Sequence, residues 1–152
     1  MKKWFLHSVV LVLSLSLIVS CSTNEDDSTN TTVEIEQLES TAETGTWRVT
    51  NLVDSGQDET SDFNGFVFSF LENGTVTATN GTTIYDGTWS VASDDDDDND
   101  VDFNIFFPVP DSNDFDDLND DWDIVSYSDT IINLIDIDDE TGDTDLLTFE
   151  KD

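Results

Sequence analysis

The sequence predicts an all-β domain over residues 45–152, a small antiparallel up-and-down β-barrel of about eight strands with one short helix. Short β-rich runs with turn signals between them begin at Gly45, and many of them alternate apolar and polar residues. No long helical pattern interrupts these runs. A sandwich would also suit such strands, but the consecutive short connections favour a barrel, which leaves no open sheet edge.

Two Asn-Gly dipeptides mark the turns of a three-strand meander in the first half of the domain. Asn73-Gly74 separates "FVFSFLE" from "TVTAT", and Asn80-Gly81 separates that run from "TTIYDGTWSV". Asn-Gly between strand-like runs is typical of a type I′ hairpin turn, in which both residues take a positive φ. The dipeptides also begin Asn-x-Thr glycosylation triplets, but turn formation explains them more simply. Another strand, "TWRVTNLV", is expected before the meander.

The second half of the domain begins with an aspartate-rich segment, residues 94–100, which we interpret as the solvated tip of a hairpin. In the following run, "VDFNIFF", alternate residues share one face: Val101, Phe103, Ile105 and Phe107. Residues 111–122 predict the short helix, because apolar residues recur there at spacings of three and four: Phe115, Leu118 and Trp122. Strands are then expected in "WDIVSYS", "DTIINLIDI" and "DLLTFEK".

The N-terminus has the pattern of a bacterial lipoprotein signal peptide. Residues 1–20 combine two lysines with an apolar run that is too short to favour a membrane-spanning helix. Residues 17–21, "LIVSC", resemble a lipobox, in which Cys21 becomes the lipid-modified first residue. The alternative is an ordinary secretory signal with a stray cysteine, but Cys21 is the single cysteine of the chain. We therefore expect palmitate-type acylation at Cys21 and a lipid anchor in the outer membrane.

Residues 21–44 predict the lipidated cysteine followed by an acidic, disordered tether, because the segment is polar and free of aromatic residues. The opening of the tether, residues 22–27, resembles the acidic signal that exports Bacteroidetes lipoproteins to the cell surface. A plain hydrophilic spacer is the alternative.

The chain is strongly negative, with 36 acidic residues, four basic residues and a formal net charge of −32. Once the signal is removed, only Arg48 and Lys151 remain basic. No basic patch is left to bind phosphates, so nucleic acid is excluded as a partner. The negatively charged domain is not attracted to anionic lipids either, so the acyl anchor alone has to attach the protein to the membrane. We expect the domain to be a monomer.

Catalytic side chains are scarce in the mature sequence. The single histidine, His7, lies in the signal peptide, and the single cysteine is expected to be acylated. Nucleophilic catalysis that relies on histidine, and zinc sites built on imidazole or thiolate, are therefore excluded. We predict no enzymatic activity and assign no catalytic residue. A carboxylate-pair glycosidase is the enzyme class left open, and it requires a carboxyl whose pKa is raised by burial.

Five segments of the domain carry a resemblance to a known group of proteins: Gly45-Thr46-Trp47, "FSFLENGTVTA", residues 87–91, "LNDDWDIVSYSDTIINL" and "LLTFEK". In these segments the domain resembles the lipocalin-like lipoproteins common in Bacteroidetes. The resemblance implies an antiparallel barrel in which Trp47 closes one end. Most members of the group have no assigned activity, so the resemblance implies a fold rather than a reaction.

A small internal cup is the first candidate ligand site. Four aromatic residues are assigned to it: Trp47, Phe68, Trp89 and Phe103. The ligand expected there is a small apolar or sugar-like molecule. The alternative is that these aromatic side chains fill the core, since an eight-stranded barrel can be filled by its own side chains. Arg48 is expected to point away from the face of Trp47 and to pair with a neighbouring aspartate.

Calcium is the only cofactor that the sequence suggests, and the loop of residues 136–145 is its best candidate site. Adjacent aspartates such as those at 94–98 point in different directions and cannot all converge on one ion. The later loop has alternating acids, which are the candidate ligands: Asp136, Asp138, Glu140, Asp143 and Asp145. Compared with an EF-hand loop, its glycine stands one place later and the closing glutamate is missing. The alternative is that cations gather diffusely around the negative surface without a defined site.

These observations predict a non-enzymatic, membrane-anchored lipoprotein whose lipocalin-like domain binds a small apolar or sugar-like ligand. The alternative function is an acidic, surface-exposed structural or interaction module that binds calcium or cationic partners.

Overall fold

The computed structural model describes residues 27–93, 101–138 and 141–152. These residues contain one α-helix, α1 (Asp27–Ala42), and two 3-10 helices, Thr60–Phe63 and Asp114–Leu118. They also contain nine strands: β1 (Trp47–Asp54), β2 (Gln57–Asp58), β3 (Val67–Leu71), β4 (Thr75–Thr79), β5 (Ile84–Ser93), β6 (Val101–Phe106), β7 (Asp120–Ser128), β8 (Ile131–Ile137) and β9 (Thr144–Lys151).

Eight of these strands form a closed antiparallel barrel, which confirms the predicted fold class. Each strand from β3 to β9 pairs with the next one along the chain, and β1 closes the barrel by pairing with both β3 and β9. At the closure, Trp47 lies opposite Phe68 on one side and opposite Lys151 on the other. The two-residue strand β2 pairs only with the end of β1, outside the cycle. A register shift between Val49 and Asn51 interrupts the β1–β9 ladder.

Both predicted Asn-Gly hairpins are present, but the predicted turn type is wrong. Gly74 and Gly81 have φ angles of 77° and 82°, whereas neither asparagine has a positive φ. The asparagine side chains explain this difference. The Asn73 carboxamide oxygen accepts from the Thr75 N–H, and that of Asn80 accepts from the N–H groups of the residues two and three places ahead. Such Asx turns hold the asparagine in an ordinary conformation and leave the left-handed one to glycine.

The predicted helix over residues 111–122 is shorter than expected. It is the 3-10 helix Asp114–Leu118, and Trp122 instead belongs to β7. Asn113 begins the helix, since its side-chain oxygen accepts from the Phe115 N–H at 3.0 Å. Aspartate and asparagine favour turns and helix ends over helix interiors, which explains why the element stays short.

Helix α1 corrects the predicted disordered tether, which is wrong for residues 27–42. Leu38 and Ala42 are fully buried within the barrel's apolar core. The Trp47 indole N–H donates to the Ala42 carbonyl oxygen at 2.8 Å. This burial and the hydrogen bond stabilise a helix whose threonines and valine have low intrinsic propensity. Residues 22–26 lie outside the described part. No helix of the described residues has the length and apolarity needed to cross a membrane.

Aromatic side chains fill the barrel interior. The rings of Phe70 and Phe149 have centroids 5.4 Å apart with an interplanar angle of 89°, and Phe70 and Phe103 meet similarly at 5.3 Å. Further rings complete the set: Phe63, Phe68, Phe107, Phe115, Trp47, Trp89 and Trp122. Edge-to-face pairs of this kind contribute about 0.5–1.5 kcal/mol each beyond the burial of their area. The interior is therefore built as a packed core.

Candidate functional site

The four aromatic residues assigned to an internal cup belong to the core. Trp47, Phe68 and Phe103 are 0% exposed and Trp89 is 6% exposed. The Trp89 indole N–H donates to the Leu71 carbonyl oxygen at 3.0 Å, so its polar atom is already bound. Their packing role is the one that the structure shows, and the assignment of these side chains to a ligand stays a prediction.

The predicted calcium loop does not gather its described carboxylates around one point. Asp136 and Asp145 lie opposite each other on β8 and β9. The Asp138 carboxylate accepts from the Thr141 N–H at 2.7 Å and so supports the turn, while the Asp145 carboxylate accepts from the Ser55 N–H at 2.7 Å. Glu140 lies outside the described residues, so a calcium site that includes it stays a prediction. Cys21 and Asp94–Asp100 also lie outside them.

A different group of carboxylates converges on one end of the barrel. Asp54 ends β1, Glu59 follows β2, and Asp117 lies in the second 3-10 helix. Their carboxylate oxygens lie within 4.8 Å of one another, close enough to hold one metal ion, and within the described part of the chain no other three acids do so. The Glu59 backbone N–H donates to the Leu52 carbonyl oxygen at 3.0 Å, which fixes this residue beside β1.

The Asp54–Glu59–Asp117 cluster cannot hold three full negative charges without cost. Burial raises the pKa of Asp117 from its ordinary 3.8 to about 7, and the hydrogen bond with Glu59 and the charges of Glu59 and Asp54 add to the rise. At neutral pH a proton is therefore shared within the cluster, or a cation replaces it. Glycosidase carboxyls stand about 5–9 Å apart across the substrate. The Asp117–Glu59 pair is in direct hydrogen-bond contact, so it lacks that spacing.

A second feature is an open cleft on the outer surface of β5 and β6, with a volume of about 580 Å³. Outward-facing residues of these strands and the first residues of β7 line it: Thr88, Ser90, Asn104, Phe106, Asp120 and Asp121. Phe106 is 55% exposed, and of the exposed large apolar side chains in the described ranges it alone is aromatic. The cleft thus combines one free aromatic face with hydroxyl, amide and carboxylate groups.

The floor of this cleft is held by Asn119, which follows the second 3-10 helix. The Asn119 carboxamide accepts from the Phe107 N–H at 2.6 Å and donates to the Phe107 carbonyl oxygen at 3.0 Å. It also donates to the Asp116 carboxylate at 3.0 Å. Because Phe107 is anchored inward, Phe106 is held outward by the alternation of the strand. On the opposite strand, a Cβ at Gly87 would collide with the Phe106 carbonyl oxygen and the Phe107 ring.

Carboxylates dominate the charge of this cleft. Burial raises the pKa of Asp120 to about 7, and its side-chain hydrogen bond with Asp121 contributes to the rise. Both bases of the described residues are engaged elsewhere. Arg48 forms a 2.6 Å ion pair with Asp152, as the sequence predicted for an aspartate partner, and the Lys151 ammonium lies 5.1 Å from the centroid of the Trp47 ring.

Sequence reasoning missed both the cleft and the acidic cluster. Asp54 and Glu59 lie close together in sequence, on either side of β2, but Asp117 lies far from both along the chain and joins them only in the folded barrel, so no local pattern reveals the cluster. Phe106 did leave a signal. In "VDFNIFF" the inward phase ends on Phe107, which places Phe106 on the outward phase where aspartate and asparagine otherwise stand.

A solved structure is similar to this chain, whereas the sequence comparisons find no match. Neither a protein-family model nor a curated protein matches the chain. A crystal structure of a DUF4847 family protein from Bacteroides vulgatus ATCC 8482, at 1.00 Å resolution, is similar to it with a TM-score of 0.48 and 19% sequence identity. The match covers 76% of this chain and 97% of that chain. At this level the likeness assigns no activity, ligand or partner, and the resemblance to lipocalin-like lipoproteins stays a prediction.

Proposed function

We propose that this protein is a non-enzymatic, membrane-anchored lipoprotein whose β-barrel binds a small ligand in the outer cleft beside Phe106. The observation that carries the proposal is an exposed aromatic ring inside a cleft of about 580 Å³, whose lining is otherwise polar or acidic except for the buried residues Trp89 and Ile105. Ligand sites commonly pair apolar surface with a few convergent polar groups. The packed interior supports an outer cleft, rather than an internal cup, as the site of the small molecule that the sequence predicts.

The anchor in this proposal is an acyl chain on Cys21. Five residues separate Cys21 from Asp27, the first residue of α1. Even a fully extended chain of that length spans only about 20 Å, so the start of α1 would stay close to the membrane surface. The barrel would then act at the membrane rather than at the end of a long tether.

Metabolic labelling with an alkyne analogue of palmitate tests the anchor. We expect the wild-type chain to take up the label and to fractionate with the outer membrane. The Cys21→Ser variant should lose both properties. Label retained in that variant, or an unlabelled wild-type chain, would contradict the anchor.

Native mass spectrometry of the full-length lipoprotein, released from its own cells in a mild non-ionic detergent, tests the cleft. We expect an additional mass of a small molecule that is lost in Phe106→Ser. Ile84→Ser is the matched control. Like Phe106, Ile84 is an exposed apolar residue, 66% exposed, but it lies in β5 and does not line the cleft. An additional mass that survives Phe106→Ser would place the ligand elsewhere.

The second candidate function is binding of a divalent cation such as Ca²⁺ at Asp54, Glu59 and Asp117. The converging oxygens favour it, since carboxylates are the preferred ligands of this ion. Binding would stabilise the folded state, so calcium should raise the melting temperature above its value in chelator. The Glu59→Gln variant should abolish most of that rise, while Asp62→Asn, an exposed neighbour, should not. An equal rise in both variants would mean general screening.

A further inference from the structure

The proposed cleft has an uncompensated negative charge. Asp116, Asp120 and Asp121 line it, and no lysine or arginine does. In the described ranges the only bases are Arg48 and Lys151, which are paired with Asp152 and stacked over the Trp47 ring. A ligand that enters the cleft therefore meets carboxylates with no basic partner from the protein's own lining.

The Phe106 ring supplies the second element of the site. It stands opposite Thr88 across the β5–β6 ladder, and the neighbouring outward position pairs Ser90 with Asn104. Asn104 in turn lies opposite Asp121 on β7. One continuous outer surface thus carries an aromatic face, a hydroxyl, an amide and a carboxylate in adjacent strands.

The existing hydrogen bonds leave the carboxylates able to accept more. The Asp116 carboxylate accepts from Asn119, and the Asp120 carboxylate accepts from the Asp121 N–H. An ionised carboxylate has about four acceptor positions, so each retains capacity for a further donor when it is ionised. Burial raises the pKa of Asp120 to about 7, and a bound cation would favour its ionised form. The cleft is therefore richer in acceptors than in donors.

We propose that the cleft binds a small organic cation bearing a guanidinium group, which stacks on Phe106 and donates to the carboxylates of Asp120 and Asp121. A guanidinium is planar, stacks on aromatic faces and donates in a fork that matches a carboxylate. The negative field of the whole chain also raises the local concentration of cations. This inference rests on the proposed function, because it names the ligand class for the same cleft.

Isothermal titration calorimetry of the full-length lipoprotein in non-ionic detergent tests the inference with three probes. N-acetyl-arginine amide carries the guanidinium, N-acetyl-citrulline amide is its neutral counterpart of nearly the same shape, and methyl N-acetylglucosaminide is a neutral sugar. We expect the arginine probe to bind more tightly than either neutral probe. Phe106→Leu, which keeps an apolar side chain, should weaken that binding by about two- to fivefold, the range of an exposed cation–π contact.

Two variants of equal net charge separate site binding from general attraction. The double variant Asp120→Asn/Asp121→Asn should weaken binding of the arginine probe more than Asp62→Asn/Asp129→Asn, whose residues lie outside the cleft. Equal weakening by both would overturn the inference. Phe106-dependent binding of a neutral probe as tight as that of the arginine probe would overturn it while the proposed function stands. Failure of all three probes to bind would contradict both the guanidinium inference and the proposed ligand site in the cleft.

Discussion

Asn119 forms two hydrogen bonds with the backbone of Phe107, one to its N–H and one to its carbonyl oxygen. The side chain thus takes the place of a neighbouring strand at the point where β6 ends. This contact joins the second 3-10 helix to the barrel and fixes the direction of the chain through Phe106. The cleft therefore depends on a residue that does not present its amide to the ligand.

Replacing Asn119 with alanine should destabilise the protein by about 1–3 kcal/mol, because two backbone groups of the buried residue Phe107 lose their partner. Urea unfolding followed by tryptophan fluorescence measures the change. Asn64→Ala is the control, since Asn64 is exposed and should shift the free energy of unfolding by less than about 0.5 kcal/mol. If both variants lose the same free energy of unfolding, the two hydrogen bonds from Asn119 to Phe107 do not stabilise the barrel.

Replacing Gly87 with alanine should cost about 1–3 kcal/mol through overpacking, because the new Cβ would meet backbone and the Phe107 ring at the β5–β6 crossing. Gly81→Ala is a control for backbone strain without overpacking. No atom lies within 4 Å of the new Cβ, and the cost comes only from the positive φ of 82°. Its cost should be about 1 kcal/mol. A Gly87→Ala variant as stable as wild type would show that β5 and β6 can separate at this point.

The Trp47→Phe change should loosen helix α1 while the barrel remains folded. It removes the indole N–H that donates to the Ala42 carbonyl oxygen, and a buried acceptor is left without that partner. Hydrogen exchange should accelerate in residues 27–42 and change little in β4 and β5. Uniform acceleration across the chain would instead mean that Trp47 stabilises the whole barrel.

The pH dependence of stability should reflect Asp117. Its pKa is about 7 in the folded protein and 3.8 ordinarily, so the folded state binds its proton more tightly. Stability contributed by this proton is present below pH 4 and is lost as the pH rises to about 7. Asp117→Asn should remove part of that slope, with a gain of about 1 kcal/mol at pH 8 after allowance for solvent screening. Thermal melts in chelator at low salt measure it, and an unchanged slope would contradict the shared proton.

The sequence predicted the barrel because its signals are local. The alternation of "VDFNIFF" and the turn chemistry of Asn73-Gly74 each act over a few residues, and both describe real elements. Helix α1 was missed because only a few apolar residues, among them Leu38 and Ala42, contact the core, and polar residues conceal them. Asp54 and Asp117 meet only through the closed topology, which no short window of sequence contains.

Fluorine NMR tests the central claim, that the ligand lies in the outer cleft and the interior is packed. 4-Fluorophenylalanine placed at position 106 reports on the cleft, and the same label placed at 103 reports on the core, where Phe103 is 0% exposed. On titration of the full-length lipoprotein with N-acetyl-arginine amide, the signal from position 106 should shift in a saturable way while that from position 103 stays fixed. A saturable shift at position 103, with none at position 106, would contradict the account.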